Sequence, residues 1–185
     1  MQITPKLTVI VGGMFSGKST ELQRQGKRHM LQGHNVYYVK PRTDNRYSKD
    51  EIVTHEGTKV DCISIESDGS IIQFMPFNTD VVLIDEVQFF SDRLLGQIEV
   101  LLRSGIRVYC SGLDMDFEGR PYGITPYLMA LADEVNKLHA VCDKCGNDAY
   151  VTPRKVDNKE QLLVGSSEYY PLCRSCFYEK ERQTC

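Results

Sequence analysis

Apolar residues in this chain fall into short dense runs, separated by segments in which they recur every three or four positions. The first run, Leu7-Thr8-Val9-Ile10-Val11, is β-branched and followed by glycine, and it predicts a strand. Ser19 to Leu31 is helical in composition, with a basic face of Arg24, Lys27 and Arg28, and Gly33 suits its C-terminal cap. Asn35 to Lys40, β-branched and aromatic, predicts a second strand halted by Pro41. Strand, helix and strand in that order make a βαβ unit and imply a parallel sheet.

Residues 41–59 are polar and turn-rich, which predicts a long irregular loop of the kind that is either functional or disordered. Cys62 to Ile65 reads as a short strand, and Ser67 to Phe77 as a helix weakened by Gly69 and Pro76. Val81-Val82-Leu83-Ile84-Asp85-Glu86 is the strongest strand, apolar enough to be central and buried on both faces. Leu94 to Arg103 places Leu94, Leu95, Ile98, Leu101 and Leu102 on one side of a helix closed by Ser104-Gly105. Ile106 to Cys110 predicts another strand, residues 113–122 a second irregular loop, and Thr125-Pro126 a helix start with Thr125 as N-cap. That helix is expected to end near Asp133, with Glu134 to His139 as a last strand. Aliphatic runs then cease, so we expect a main domain over residues 1–139 and a small one over 140–185. Repeats and low-complexity segments are absent.

Composition narrows this picture without redirecting it. A chain of 185 residues that is 41% hydrophobic and 25% charged has the make-up of an ordinary globular protein. No apolar run approaches the roughly 18 residues of a membrane span, and Met1 to Lys6 lacks the features of a signal peptide. A cytoplasmic location is the resulting expectation, with no membrane partner. A formal charge of −3 argues against a protein that coats nucleic acid.

The first chemical signal is Gly12-Gly13-Met14-Phe15-Ser16-Gly17-Lys18-Ser19, which fits G-x-x-x-x-G-K-[ST] between a strand and a helix. Such a loop turns backbone N–H groups onto phosphate oxygens at a helix N-terminus. Lys18 is placed to reach the outer phosphates and Ser19 to ligate Mg²⁺, so a nucleoside triphosphate such as ATP is the expected ligand. Asp85 closes the central strand in the manner of a Walker B acid, on the Mg²⁺ side. Strand alternation sends Glu86 the other way, as candidate general base for transfer to a hydroxyl.

Seven cysteines supply the second signal. Cys62 and Cys110 sit in apolar surroundings and read as small buried hydrophobes, and Cys185 is terminal. Cys142-x-x-Cys145 and Cys173-x-x-Cys176 form two knuckles that suit one tetrahedral Zn²⁺, closed to water and therefore structural. Residues 140–185 hold seven basic and seven acidic side chains, without the basic face of a nucleic-acid finger. Among the histidines, His29 is expected to be solvated on its helix, His34 and His139 at strand edges, and His55 in the first polar loop.

Together the P-loop, Lys40-Pro41 with Asp44-Asn45-Arg46-Tyr47, Asp85-Glu86-Val87-Gln88-Phe89-Phe90, Gly112-Leu113-Asp114 and the two knuckles resemble type II thymidine kinase, in order from about residue 7 to residue 177. The resemblance implies a P-loop, RecA-like parallel sheet flanked by helices, with a small C-terminal zinc-ribbon and lasso domain. It implies ATP-dependent phosphorylation of the 5′-hydroxyl of deoxythymidine, with Glu86 accepting the proton. The P-loop residues, Asp85 and Gln88 would serve ATP and Mg²⁺. Met14, Phe89, Leu113, Phe117, Tyr122, Thr152 and Tyr169 would line the nucleoside pocket. Leu163, Val164 and Gly165 would belong to a zinc-tethered lasso over the base. A homotetramer with dTTP as feedback inhibitor is implied as well. Two positions depart from the family pattern. Gly13 stands where proline is usual, which should loosen the loop, and the lasso is one residue shorter than in some relatives. The competing reading is a nucleic-acid-dependent P-loop ATPase with a zinc ribbon, disfavoured by the neutral charge of residues 140–185. A regulatory nucleotide-binding protein without catalysis is disfavoured by the intact Glu86.

Overall fold

The structure, a computed structural model, describes residues 3–42, 51–53, 59–155 and 168–184. Its core is a six-stranded sheet of β1 (Leu7–Val11), β2 (Val36–Pro41), β5 (Ile63–Ile65), β6 (Val81–Ile84), β7 (Arg107–Gly112) and β8 (Glu134–Lys137). The strands run in the order β5-β2-β6-β7-β1-β8, and every neighbouring pair is parallel. Two short strands, β3 (Glu51–Val53) and β4 (Lys59–Asp61), pair antiparallel beside it.

The dense apolar runs become strands because both faces of this sheet are covered. On one face Val9 and Val11 of β1, Val82 and Ile84 of β6 and Val108 of β7 pack with Leu94, Ile98 and Leu101 of α3 (Arg93–Arg103) and Leu128 of α4 (Thr125–Leu131). On the other, Ile10, Tyr38, Leu83 and Tyr109 meet Leu22 of α1 (Lys18–Leu31). Central β6 has all four side chains fully buried. At about 25 cal/mol per Å² of apolar surface removed from water, this double burial is the main stabilising term of the sheet.

Beyond the sheet, Ala140, Ala149, Val151, Leu172, Phe177 and three of the knuckle cysteines build a third apolar cluster. It joins a hairpin, β9 (Ala140–Val141) with β10 (Asp148–Ala149), to α5 (Arg174–Thr184).

Several expectations shift. The predicted irregular loop 41–59 contains the β3–β4 pairing at its far end; Asp44 to Ser48 and His55 lie outside the described residues. The helix expected over Ser67–Phe77 contracts to α2 (Ile71–Phe74), capped by the Ser70 hydroxyl, which accepts the Gln73 N–H at 3.3 Å. Thr125 is not the N-cap of α4 but its first residue; Ile124 holds the cap position and the hydroxyl makes no capping bond. Strand β6 stops at Ile84, so Asp85 and Glu86 stand beyond it. His29 is not solvated: it is buried, with Nε2 3.0 Å from the Tyr109 hydroxyl and Nδ1 3.1 Å from His34 Nδ1. Among the described residues, no helix is long and apolar enough to cross a membrane.

Candidate active site

Parallel register brings the chemistry to one edge of the sheet. Val11 is paired with Gly112 and Ile84 with Cys110, so the P-loop, Asp85 and Leu113 all emerge from the C-terminal ends of adjacent strands. Ligands of open α/β sheets bind at that end, where connections diverge.

The P-loop is shaped by its backbone. Gly12 has φ 145, Phe15 φ 66 and Gly17 φ 83, which curl the chain into the start of α1. Inside the loop, Lys18 Nζ donates to the Gly13 carbonyl at 2.7 Å and Ser16 Oγ to the same oxygen at 2.8 Å. Lys18 is buried, so its charge is kept at the loop rather than in solvent. The Met14 N–H donates to Thr152 Oγ1 at 3.0 Å, tying the loop to the chain beyond the sheet. A Cβ on Gly13 would stand 2.6 Å from that same Thr152 oxygen. Glycine at this position is thus matched to Thr152 by close approach.

Asp85 is buried; its Oδ1 accepts the Glu86 N–H at 2.9 Å and the hydroxyl of Ser111 on β7. Glu86 takes a left-handed conformation, φ 52 and ψ 44. Because β6 ends at Ile84, strand alternation does not set the direction of Glu86; its backbone turn does. Gln88, also buried, donates through Nε2 to Glu86 and accepts the Leu113 N–H on Oε1 at 3.0 Å. It was expected on the cofactor side; its bonds here fix Glu86 and the loop after β7.

Aromatic side chains collect beside Glu86. Phe89 and Tyr122 meet edge-to-face with centroids 6.0 Å apart. Tyr169 pairs in a β-bridge with Arg154, whose Nε donates to the Tyr169 hydroxyl at 3.1 Å. The Arg154 guanidinium lies 3.8 Å from the Phe117 ring centroid and 5.5 Å from that of Tyr169. The Tyr122 phenol is held above its ordinary range, chiefly by burial and then by the nearby Tyr169 and Glu86. Of the residues expected to line a nucleoside pocket, the contacts join Met14 to Thr152, Phe89 to Tyr122, and Phe117 to Tyr169 through Arg154; Leu163, Val164 and Gly165 lie outside the described residues. Sequence reasoning missed Arg154 and Ser111. Neither belongs to a motif, although Arg154 stands two residues after Thr152.

The four knuckle cysteines converge, with all sulfurs within 4.8 Å of one another. Cys145 Sγ and Cys173 Sγ are 3.6 Å apart, near the edge of about 3.8 Å of a tetrahedron with 2.3 Å metal–sulfur bonds. Burial opposes ionisation of Cys142, yet backbone N–H groups at Cys173, Lys144 and Cys145 bring its thiol down to about 6. Further donors reach the sulfurs: the Cys176 N–H to Cys173 Sγ at 3.5 Å and Asn147 Nδ2 to Cys145 Sγ at 3.4 Å. Four convergent sulfurs with such donors fit a structural zinc ion.

The family model described as thymidine kinase matches residues 5–177. The chain is 46% identical over 173 residues to a thymidine kinase of Bacteroides thetaiotaomicron, covering 93% of this chain and 86% of that one. It is 44% identical, with the same coverage of both chains, to a thymidine kinase of Bacteroides fragilis.

Proposed function

The chain belongs to the thymidine kinase family and is a nucleoside kinase, and on that premise we propose the roles of its residues in transferring the γ-phosphoryl group of ATP to the 5′-hydroxyl of deoxythymidine. The observation that carries the proposal is the clamped carboxylate. Glu86 is turned out of line with Asp85 and gripped by Gln88 beside the P-loop end of the sheet. A base that accepts a hydroxyl proton must be held within hydrogen-bond reach of it, and such groups contribute roughly 10²–10⁴-fold in rate.

In this reading the loop amides and Lys18 hold the phosphates and offset the charge of the transferring group. Ser19 and Asp85 would hold Mg²⁺, which would neutralise phosphate charge. Phe89, Phe117, Tyr122 and Tyr169 enclose the nucleoside with Met14, Leu113 and Thr152, while Arg154 braces two of the rings from behind. The cysteine cluster would hold a structural Zn²⁺, and Leu163, Val164 and Gly165, which lie outside the described residues, are assigned to reading the base. Residues 1–139 and 140–185 then divide the work between the phosphates and the nucleoside. Assembly as a homotetramer, inhibition by dTTP and action in the cytoplasm complete the proposal.

A nucleic-acid-dependent ATPase is the reading to separate from this one. Purified protein with Mg-ATP is given a panel of nucleosides or DNA, and phosphorylated nucleoside is scored against free phosphate. Transfer to deoxythymidine without DNA-stimulated hydrolysis is expected; hydrolysis stimulated by DNA with transfer to no nucleoside overturns the proposal.

A further inference from the structure

At the edge of the sheet opposite the P-loop lies a cavity of about 250 Å³, walled entirely by polar residues in or next to β1, β7, β8 and the C-terminal half of α1. We propose that it is a second anion site, taking a small oxyanion of the phosphate class. Its volume is below the roughly 300 Å³ at which pockets for drug-sized ligands begin, so the occupant is an ion rather than a whole nucleoside.

The charge of the walls points the same way. Lys6, Arg28 and Arg107 face the cavity, and Glu134 is its one carboxylate. Glu134 is already paired with Lys6 and lies within the field of Arg107, so the walls keep a surplus of two positive charges. Each guanidinium has five N–H donors, and the bonds among the described residues use one apiece. Arg28 Nη1 donates to Gln25 Oε1 at 3.2 Å, and Arg107 Nε to the Thr4 carbonyl at 3.2 Å. Planar forks with donors to spare suit the oxygens of a phosphate or sulfate.

His29 lies beside the same charges. Desolvation first, then the charges of Arg107, His34 and Arg28, hold its imidazole down to about 4, so at neutral pH it stays uncharged beside Tyr109. The negative end of the α1 dipole also points here and opposes an anion. Its last carbonyls, however, are occupied: the N–H groups of Gln32, Gly33 and His34 donate to Arg28, His29 and Met30 oxygens. An oxyanion between the two guanidiniums would offset their repulsion and favour the protonated form of His29. Because β1 and α1 run from this cavity to the P-loop, the two anion sites share their supporting elements.

The test is an NMR titration of the intact, zinc-loaded protein with inorganic phosphate, following the ring resonances of His29 and His34 against sodium chloride at equal ionic strength. Saturable shifts with phosphate, and a raised His29 titration midpoint, are expected. Arg28→Gln and Arg107→Gln should each weaken this binding about tenfold while kinase activity persists. A parallel titration with dTTP identifies the source: the same shifts mean the phosphate tail of a nucleotide, and their absence means the free ion. Phosphate held at the P-loop moves other resonances, so the outcome there is read separately. Histidine signals that move equally with chloride, or phosphate binding unchanged in the double variant, would overturn the proposal.

Discussion

Glu86 and Phe15 are the non-glycine residues with positive φ among the described residues, and both stand at the candidate active site. Left-handed backbone at a residue with a side chain costs on the order of 1–3 kcal/mol and persists where surrounding bonds over-determine it. For Glu86 those bonds are its own N–H to Asp85 and the Gln88 amide, which in turn holds Leu113. Gln88→Ala should therefore lower kcat roughly tenfold or more while leaving the KM for ATP near its original value; steady-state kinetics with each substrate varied will show it. An equal rise in both KM values with kcat unchanged would mean that Gln88 serves binding instead. The match between Gly13 and Thr152 belongs to the same scale. Gly13→Ala should cost about 1–3 kcal/mol by overpacking, read by thermal or denaturant unfolding, and Thr152→Ala should recover part of it in a double-mutant cycle.

At the scale of elements, the strands were legible because a sheet buried on both faces leaves dense apolar runs that little else explains. Val81 to Ile84 is the plainest case, and Leu83→Ala should destabilise the fold by 2–5 kcal/mol, an estimate for large-to-small core changes, measured by urea unfolding. The ends of elements were less legible. Asp85 and Glu86 extend the run in sequence, but polar residues gain nothing from the sheet interior, and Glu86 turns back to meet Gln88. Thr125 has the side chain of a cap, yet Pro126 behind it does not decide which residue starts the helix. The burial of His29 is not legible in the sequence, because its neighbours on α1 are basic while its own side faces Tyr109. That burial has a pH consequence. The folded midpoint of about 4 lies below the ordinary 6.5, so the unfolded chain binds the proton first. Stability should be fully present above about pH 6.5 and decline as pH falls toward 4, by no more than about 3 kcal/mol from this group. Unfolding of His29→Gln across that range should show a shallower decline.

For the whole molecule, the contacts that join the candidate P-loop edge to the cysteine-held segment include Met14 with Thr152, and Phe117 with the Arg154 guanidinium that bonds to Tyr169. The four cysteines were readable from spacing alone, whereas Arg154 was not, because its partners come from loops far apart in sequence. If zinc holds the nucleoside side in place, Cys173→Ser or chelation should raise the KM for deoxythymidine roughly 10–100-fold while ATP binding is retained. Isothermal titration with each substrate separates the two effects, and equal loss of both would show that the metal supports the entire fold.

The assignment of Glu86 is what joins these scales, and Glu86→Gln tests it most directly because the amide keeps size and hydrogen bonding while losing basicity. Single-turnover phosphorylation of deoxythymidine by this variant should fall by roughly 10²–10⁴-fold, with ATP and deoxythymidine affinities close to those of the unaltered protein. Near-normal turnover in Glu86→Gln would contradict the assignment.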